Sequence, residues 1–186
     1  AAECEPYVTA DYRLLLERGE HILRCAQVLA VHLGCERVVV VTEGDKLSAV
    51  EAVERRLRRL HRVRVQIIAI RTRYPLGAEK QIIQTVTGRE VPPGGSPLHV
   101  KCAVFNVATV FAIHDALFQG WPLTHRAVTV TGGAVTRPRN LWVPIGTPLR
   151  SLLEACGGLR EASDRMLTGG PMMGVALQNL DAPVTK

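Results

Sequence analysis

The sequence is poor in aromatic residues and has no long apolar run. Each absence restricts the classes of protein to which the chain can belong. Aromatic residues make up 4% of the 186 residues, while 47% are hydrophobic, so valine, leucine, isoleucine and alanine have to form most of the core. No apolar run approaches the roughly 20 residues that a membrane-spanning helix needs. The acidic N-terminus has no apolar segment of a secretory signal. We expect a soluble chain of one ordinary domain or two small ones.

Paired cysteines are also missing. The five cysteines are odd in number, widely spaced and never arranged as C-x-x-C, which argues against a disulfide framework, a zinc site or an iron–sulfur cluster within the chain. The six histidines have no metal-ligand spacing, and no serine lies in a nucleophile elbow. We therefore expect reduced, mostly buried thiols, no metal site in these residues and no hydrolase chemistry.

Basic residues outnumber acidic ones by 23 to 17, which gives a formal net charge of +6. Part of the excess is a run of arginines from Arg55 to Arg64, predicted to lie on one helix with Glu51 and Glu54. Pairs such as Glu54 and Arg58 are spaced for contact on that helix, and no aromatic residue interleaves with the arginines. A solvated helix face is favoured over nucleic-acid binding. A docking patch for an acidic partner or a membrane surface stays open.

The spacing of apolar residues predicts an α/β fold. A long helix, a buried strand, a second helix and a second buried strand follow one another, which is typical of a Rossmann-like parallel sheet. A short helix capped by Gly88, a third strand and a helix capped by Asn106 complete the predicted domain, which covers 1–122. The predicted ranges are 9–33, 47–60 and 107–119 for the longer helices and 37–42, 65–70 and 100–105 for the strands.

The pattern changes after Gly120-Trp121-Pro122 to short β-branched strands. Two strands, one helix beginning at Pro148 and two further short strands are typical of a β-grasp module, which we predict for 123–186. The predicted strands are 126–131, 141–145, 166–168 and 175–177.

Three polar motifs are candidates for a binding site. Glu3 and Glu5 face the same way in an extended segment, and their carboxylates could accept from hydroxyl or amide donors of a cofactor. A frayed acidic terminus is the alternative. Asn106 and Thr109 follow the third predicted strand, where a plain helix cap is the alternative.

The third motif, from Tyr74 to Lys80, follows a buried strand and opens a helix, which is where open α/β sheets bind ligands. Gly77 and Ala78 would leave room for a ligand, and free helix amides favour an anion. Tyr74 could stack on a ring and Glu79 could accept from a hydroxyl or a ring N–H. If the strands are adjacent, the three motifs line one nucleotide or flavin pocket; an ordinary strand–helix turn is the alternative.

Several segments together resemble the C subunit of the Rnf electron-transport complex. The first domain is also similar to the flavin- and NADH-binding subunit of respiratory complex I, and the second to the soluble-ligand-binding β-grasp domain that follows it there. The resemblance runs in order along the whole chain. It rests on the segments 2–7, 74–81, 87–92, 137–140 and 169–174.

This resemblance implies a peripheral subunit at the cytoplasmic face of a bacterial inner membrane. Such a subunit binds FMN, exchanges a hydride with NAD(H), and works with other subunits that couple electron flow between NADH and ferredoxin to ion movement. We expect no catalytic side chain, because the cofactors would supply the chemistry, and no nucleic-acid partner, because that function rests on net charge alone. The cofactor-binding residues that the resemblance implies, by matching motifs, are Glu3, Glu5, Tyr74, Gly77, Ala78, Glu79, Asn106 and Thr109.

The chain also departs from the family pattern. Ala78 stands where glycine or glutamate is usual, Phe105 replaces a polar residue, and Arg139 replaces a glycine. The family's glycine-rich flavin loop would lie upstream of this chain and its 4Fe-4S cysteines downstream, so we expect a fragment of a longer subunit. The alternative function is a cofactor-free docking and assembly module, acting through the β-grasp domain and the arginine face.

Overall fold

The computed structural model describes residues 2–44, 63–160 and 165–185. These residues contain four α-helices and six strands. The helices are α1 (Ala10–His32), α2 (Glu79–Thr87), α3 (Val107–Gln119) and α4 (Leu149–Ala155). The strands are β1 (Arg37–Glu43), β2 (Arg64–Ile70), β3 (His125–Val130), β4 (Arg139–Pro144), β5 (Leu167–Thr168) and β6 (Val175–Ala176).

The first part of the chain is built on the parallel pair β1 and β2, paired from Arg37 with Arg64 to Glu43 with Ile70. Helices α1 and α3 pack together beside this pair. Their shared core includes Leu15, Leu23 and Phe111, which are almost completely buried. The parallel pair and its flanking helices confirm the predicted α/β class.

Helix α1 is interrupted one residue before Gly19. Its backbone leaves the helical region at Arg18, where φ is −122° and ψ is 16°. The helix ends before Gly34, whose φ of +64° suits a residue without a Cβ atom. The predicted cap of α2 is present, because Gly88 adopts the left-handed conformation, and Gly120 does the same at the end of α3.

The second part contains the antiparallel hairpin of β3 and β4, the short helix α4 and the small hairpin of β5 and β6. Val143, Leu152 and Val184 form its small core. These elements match the predicted order of strands and helix. The boundary at residue 122 stays a prediction.

One predicted strand is wrong. Residues 100–105 pair with no other strand in the described parts of the chain. Pro97–Val100 forms a 3₁₀ turn instead, with the Ser96 hydroxyl and the His99 ring at its start. Lys101 then adopts a left-handed φ of +55°, which interrupts an extended backbone.

Two further expectations need correction. The predicted helix 47–60 and the arginines up to Arg62 lie outside the described residues, but Arg64 opens β2 rather than continuing a helix. All five cysteines are free, yet only Cys25 and Cys156 are buried, so the thiols are not mostly buried. Burial raises the pKa of the Cys25 thiol.

Within the described residues, no helix has the length and apolar character that a membrane crossing requires.

Candidate functional site at the end of the second strand

The N-terminal segment packs against the turn that follows β2. A Cβ atom at Gly77 would lie 3.0 Å from the carbonyl oxygen of Ala2 and 3.0 Å from the amide nitrogen of Cys4. Such contacts are tighter than nine in ten real Cβ contacts, so a side chain at this position would force the N-terminal segment to move away, and glycine permits the close approach. The space beside Gly77 is therefore filled by the chain's own N-terminal segment rather than left for a ligand.

The turn itself leads directly into α2. The amide of Leu76 donates to the carbonyl of Arg73, and the amide of Ala78 donates to the carbonyl of Pro75, both at 2.8 Å. Ala78 is the N-cap and has no side chain that could accept from the first-turn amides of α2. Tyr74 and Glu79 are exposed beside them. The end of β2 thus presents uncapped helix amides, a phenol and a carboxylate on one surface.

The two N-terminal glutamates do not converge on one pocket as the sequence predicts. Glu3 turns back along the chain, and its carboxylate accepts from the amide of Glu5 at 2.9 Å. The Glu5 carboxylate accepts from the amides of Met172 at 3.0 Å and Met173 at 2.6 Å. Glu5 therefore joins the N-terminal segment to the glycine-rich loop between β5 and β6.

That loop approaches Glu5 closely because it is rich in glycine. A Cβ atom at Gly170 would lie 2.5 Å from Glu5 Oε2, and Gly170 also has a φ of +104°. Within the loop, a Cβ atom at Gly174 would overlap the carbonyl oxygen of Gly170. Both glycines are needed for the turn that presents the two methionine amides to Glu5.

Asn106 has the role of a helix cap. Its Oδ1 accepts from the amide of Ala108 at 2.8 Å, and its Nδ2 donates to the carboxylate of Asp11 in the first turn of α1. Both ends of the amide are thus used to fix the start of α3 against α1. Thr109 is exposed in the first turn of α3.

A second link between the two parts of the chain was missed by sequence reasoning. The hydroxyl of Thr129 donates to Asn140 Oδ1 at 2.7 Å across the β3–β4 hairpin. Asn140 Nδ2 donates to the hydroxyl of Thr9 at 3.0 Å, and the Thr9 amide donates to the Thr129 hydroxyl at 3.1 Å. Thr9 is separated by more than 100 residues from Thr129 and Asn140. The local sequence around these small polar residues therefore does not indicate the contact.

The chemistry of the surface at the end of β2 fits FMN or a nicotinamide nucleotide in part. Free amides at the start of α2, with Lys80 exposed beside them, suit a phosphate or another anionic group. Tyr74, Glu79 and the second carboxylate oxygen of Glu3 can meet ring and hydroxyl groups. Glu5 and Asn106 are already hydrogen-bonded to other parts of the chain, and the space beside Gly77 is filled, so these three residues offer no free groups to a ligand.

The sequence and the fold place the chain in a class of proteins built on an FMN-binding domain of the Nuo51 type. The family described as the Nuo51 FMN-binding domain matches residues 1–115, and the SLBB domain family matches residues 127–176. Because the first match covers more than half of the chain, the chain belongs to the Nuo51 FMN-binding domain family.

The curated relatives confirm the resemblance to the Rnf protein. The chain is 43% identical over 185 residues to the C subunit of the proton-translocating ferredoxin:NAD(+) oxidoreductase complex of Clostridium ljungdahlii. It is also 43% identical over 185 residues to the C subunit of the ion-translocating oxidoreductase complex of Rhodobacter capsulatus. Both matches cover the whole of this chain, which spans 40% and 36% of the two relatives, respectively.

The fold has a counterpart among solved structures. The NAD+-reducing [NiFe]-hydrogenase in its H2-reduced state contains a chain that matches 97% of this one with a TM-score of 0.77. The sequence identity is 21%, and the match covers 36% of the hydrogenase chain. At this identity the comparison shows the fold alone.

Proposed function

We propose that the chain is the central part of an NADH-oxidising, FMN-binding subunit of a membrane-associated, ion-coupled electron-transport complex. The observation that carries the proposal is the surface at the end of β2. There the N-terminal segment packs on Gly77 and leaves Tyr74, Glu79 and the free amides of α2 exposed. The family match of residues 1–115 and the names of the two bacterial relatives support it.

In this proposal the residues of the chain bind and orient the cofactors, and none acts as a general acid or base. Bound FMN would supply hydride exchange with NAD(H). Tyr74, Ala78 and Glu79 would face the flavin, and Glu3 would border the nicotinamide nucleotide. Thr109 is a further candidate contact at the start of α3.

The remaining candidate residues would act by fixing the backbone. Gly77 admits the N-terminal segment, Glu5 holds the loop of Met172 and Met173, and Asn106 fixes α3. Electrons would continue to 4Fe-4S clusters outside this chain and towards ferredoxin. The complex would lie at the cytoplasmic face of a bacterial inner membrane, where ion movement is coupled to this electron flow.

The second candidate function is a cofactor-free docking and assembly module. It is favoured by the engagement of Glu5 and Asn106 in contacts between elements of the chain. Both residues would then serve to hold these elements together, with no flavin contact.

Titration with FMN, followed by flavin fluorescence, separates the two candidates. The chain is measured alone and joined to the preceding segment of the R. capsulatus relative. Saturable quenching by either form supports the flavin site, and binding by the extended form alone means that the upstream segment supplies necessary phosphate contacts. Binding by neither form, with both shown to be folded by circular dichroism, would leave the docking module.

A further inference from the structure

A large groove lies away from the surface at the end of β2, where α1, α3 and the β3–β4 hairpin meet. Its volume is about 1150 Å³. We call it the inter-domain groove and define it by Arg13 and Arg18 of α1, His114 of α3, and Arg126 and Trp142 of the hairpin. Nothing in the proposed flavin site uses these residues.

The walls of the inter-domain groove are basic. Four arginines line it, Arg13, Arg18, Arg126 and Arg139, against two carboxylates. Both carboxylates have partners in the chain: Glu17 pairs with Arg13 at 2.7 Å, and Asp115 lies 3.0 Å from the ring of His114. Arg18, Arg126 and Arg139 make no ion pair with any described residue. The groove therefore carries uncompensated positive charge.

Exposed aromatic side chains lie among these arginines. Both tryptophans of the chain line the groove, with Trp121 68% and Trp142 54% exposed. Leu123 is also exposed there. Tryptophan and arginine are the residues most enriched at the energetic centres of protein interfaces, where charged and apolar contacts are made together.

The inner wall of the groove holds two imidazole nitrogens that have no partner among the described residues. His114 is only 2% exposed, and its Nε2 makes no hydrogen bond to them. The centroid of the His21 ring lies 4.7 Å from the centroid of the His114 ring. His21 Nδ1 is also buried and makes no hydrogen bond to the described residues. A buried polar atom that lacks a hydrogen bond is unfavourable, so this wall of the groove carries a polar cost that the chain itself does not offset.

We propose that the inter-domain groove binds an acidic segment of another polypeptide, one that also carries an apolar side chain. The carboxylates of the segment would pair with Arg18, Arg126 and Arg139. Its apolar side chain would cover Trp142 and Leu123. A nucleotide fits less well, because the start of α3 is already capped by Asn106 and offers no amide cradle for phosphate.

Photo-crosslinking in cells tests this proposal. The photoreactive residue p-benzoylphenylalanine replaces Trp142 in the natural full-length protein, and after irradiation the crosslinked peptide is identified by mass spectrometry. We expect an adduct with a segment of another polypeptide that is rich in aspartate and glutamate. The same photoreactive residue at Leu33, which is exposed beyond the end of α1, is the control.

Charge reversal provides the second measurement. The double variant Arg126→Glu/Arg139→Glu should lower the yield of the Trp142 adduct about tenfold, whereas Arg37→Glu, at the exposed start of β1, should not. A synthetic peptide of the crosslinked segment should shift the tryptophan emission of the purified chain, because both tryptophans lie in the groove. Circular dichroism of the chain and its variants verifies that each is folded.

Several results would overturn the proposal. One such result is a Trp142 adduct with a second copy of the chain, with another part of the same polypeptide, with a lipid or with a nucleotide. Another is a yield of the Trp142 adduct no higher than that of the Leu33 control. An adduct that persists unchanged in the arginine double variant would also overturn the proposal. None of these readouts depends on flavin, so FMN titration of the same variants reports separately on the proposed function.

Discussion

The carboxylate of Glu5 accepts a hydrogen bond of 2.6 Å from the backbone amide of Met173, 168 residues further along the chain. The amide of Met172 donates to the other carboxylate oxygen at 3.0 Å. A carboxylate with two backbone donors holds the loop more strongly than a neutral acceptor would. This contact ties the N-terminal segment, which packs on Gly77, to the SLBB-type part of the chain.

Replacing Glu5 by glutamine should loosen this link. The variant Glu5→Gln keeps one acceptor oxygen but turns an amide group towards the backbone donors, so one hydrogen bond is lost. We expect a loss of about 1–3 kcal/mol and a fall in the midpoint of thermal unfolding of about 3–8 °C. Circular dichroism measures the midpoint, with Glu36→Gln before β1 as the control. Equal midpoints for the two variants would show that Glu5 does not hold the loop in solution.

The close approach of Gly170 to Glu5 gives a matched pair of glycine variants. Gly170 and Gly132 both have positive φ, at +104° and +125°, so alanine strains the backbone at either position. Of the two, Gly170 alone would bring the new Cβ atom against a described atom, Glu5 Oε2, at 2.5 Å. Gly170→Ala should therefore cost about 1–3 kcal/mol more than Gly132→Ala in urea unfolding. A similar cost for both would place the carboxylate elsewhere.

The local elements of the fold could be predicted from the sequence because their signals are local. The apolar period of α1, the β-branched run of β1 and the glycines after α2 and α3 each act within a few residues. Local signals could not show whether residues 100–105 form a strand. A strand needs a partner to accept its hydrogen bonds, and an alternating run of residues does not show whether one is present.

The candidate site was predicted in its composition but not in its contacts. The free start of α2, with Tyr74 and Glu79, follows from a strand and a helix that are neighbours in sequence. The different orientations of Glu3 and Glu5 do not follow from the local sequence, because the donors for Glu5 come from the far end of the chain. The sequence-distant contact of Gly77 with Ala2 was equally invisible.

Glu79 is the residue whose role in the proposed flavin site is most easily tested. It is exposed in the first turn of α2, and glutamine preserves its size while removing the charge that strengthens a hydrogen bond from the cofactor. In the N-terminally extended chain, Glu79→Gln should raise the Kd for FMN about tenfold or more. Fluorescence titration measures it, with Glu36→Gln, beyond the opposite end of β1, as the control. An unchanged Kd removes Glu79 from the site.

His21, in the inter-domain groove, should make the stability of the chain depend on pH. Burial is the main cause that lowers the pKa of His21 below 6.5, followed by the charges of His114 and Arg18, while Glu20 and Asp115 oppose the shift. The unfolded chain therefore takes up this proton first as the pH falls. The contribution of neutral His21 is fully present above about pH 6.5 and is lost progressively as the pH falls towards its folded-state pKa.

This dependence can be measured by urea unfolding between about pH 7.5 and pH 5. The slope of the unfolding free energy against pH should be smaller in His21→Gln than in the parent chain. His32→Gln, which changes an exposed histidine in the last turn of α1, should leave the slope as it is. A slope in His21→Gln as steep as that of the parent chain would assign the dependence to other groups.

Asn106 connects α3 to α1 through the two ends of its side-chain amide. The amide of Asn106 and the carboxylate of Asp11 can therefore be exchanged between the two positions as a test. Asn106→Ala removes the cap of α3 and should cost about 1–2 kcal/mol. Asn106→Asp keeps the acceptor for the amide of Ala108 but sets a carboxylate against Asp11, so it should also destabilise the chain at neutral pH. The double variant Asp11→Asn/Asn106→Asp restores a donor and an acceptor in exchanged positions, and it should recover most of the loss. A double-mutant cycle by urea unfolding measures the coupling. If the double variant is no more stable than Asn106→Asp, the two side chains do not interact, and Asn106 acts as a cap alone.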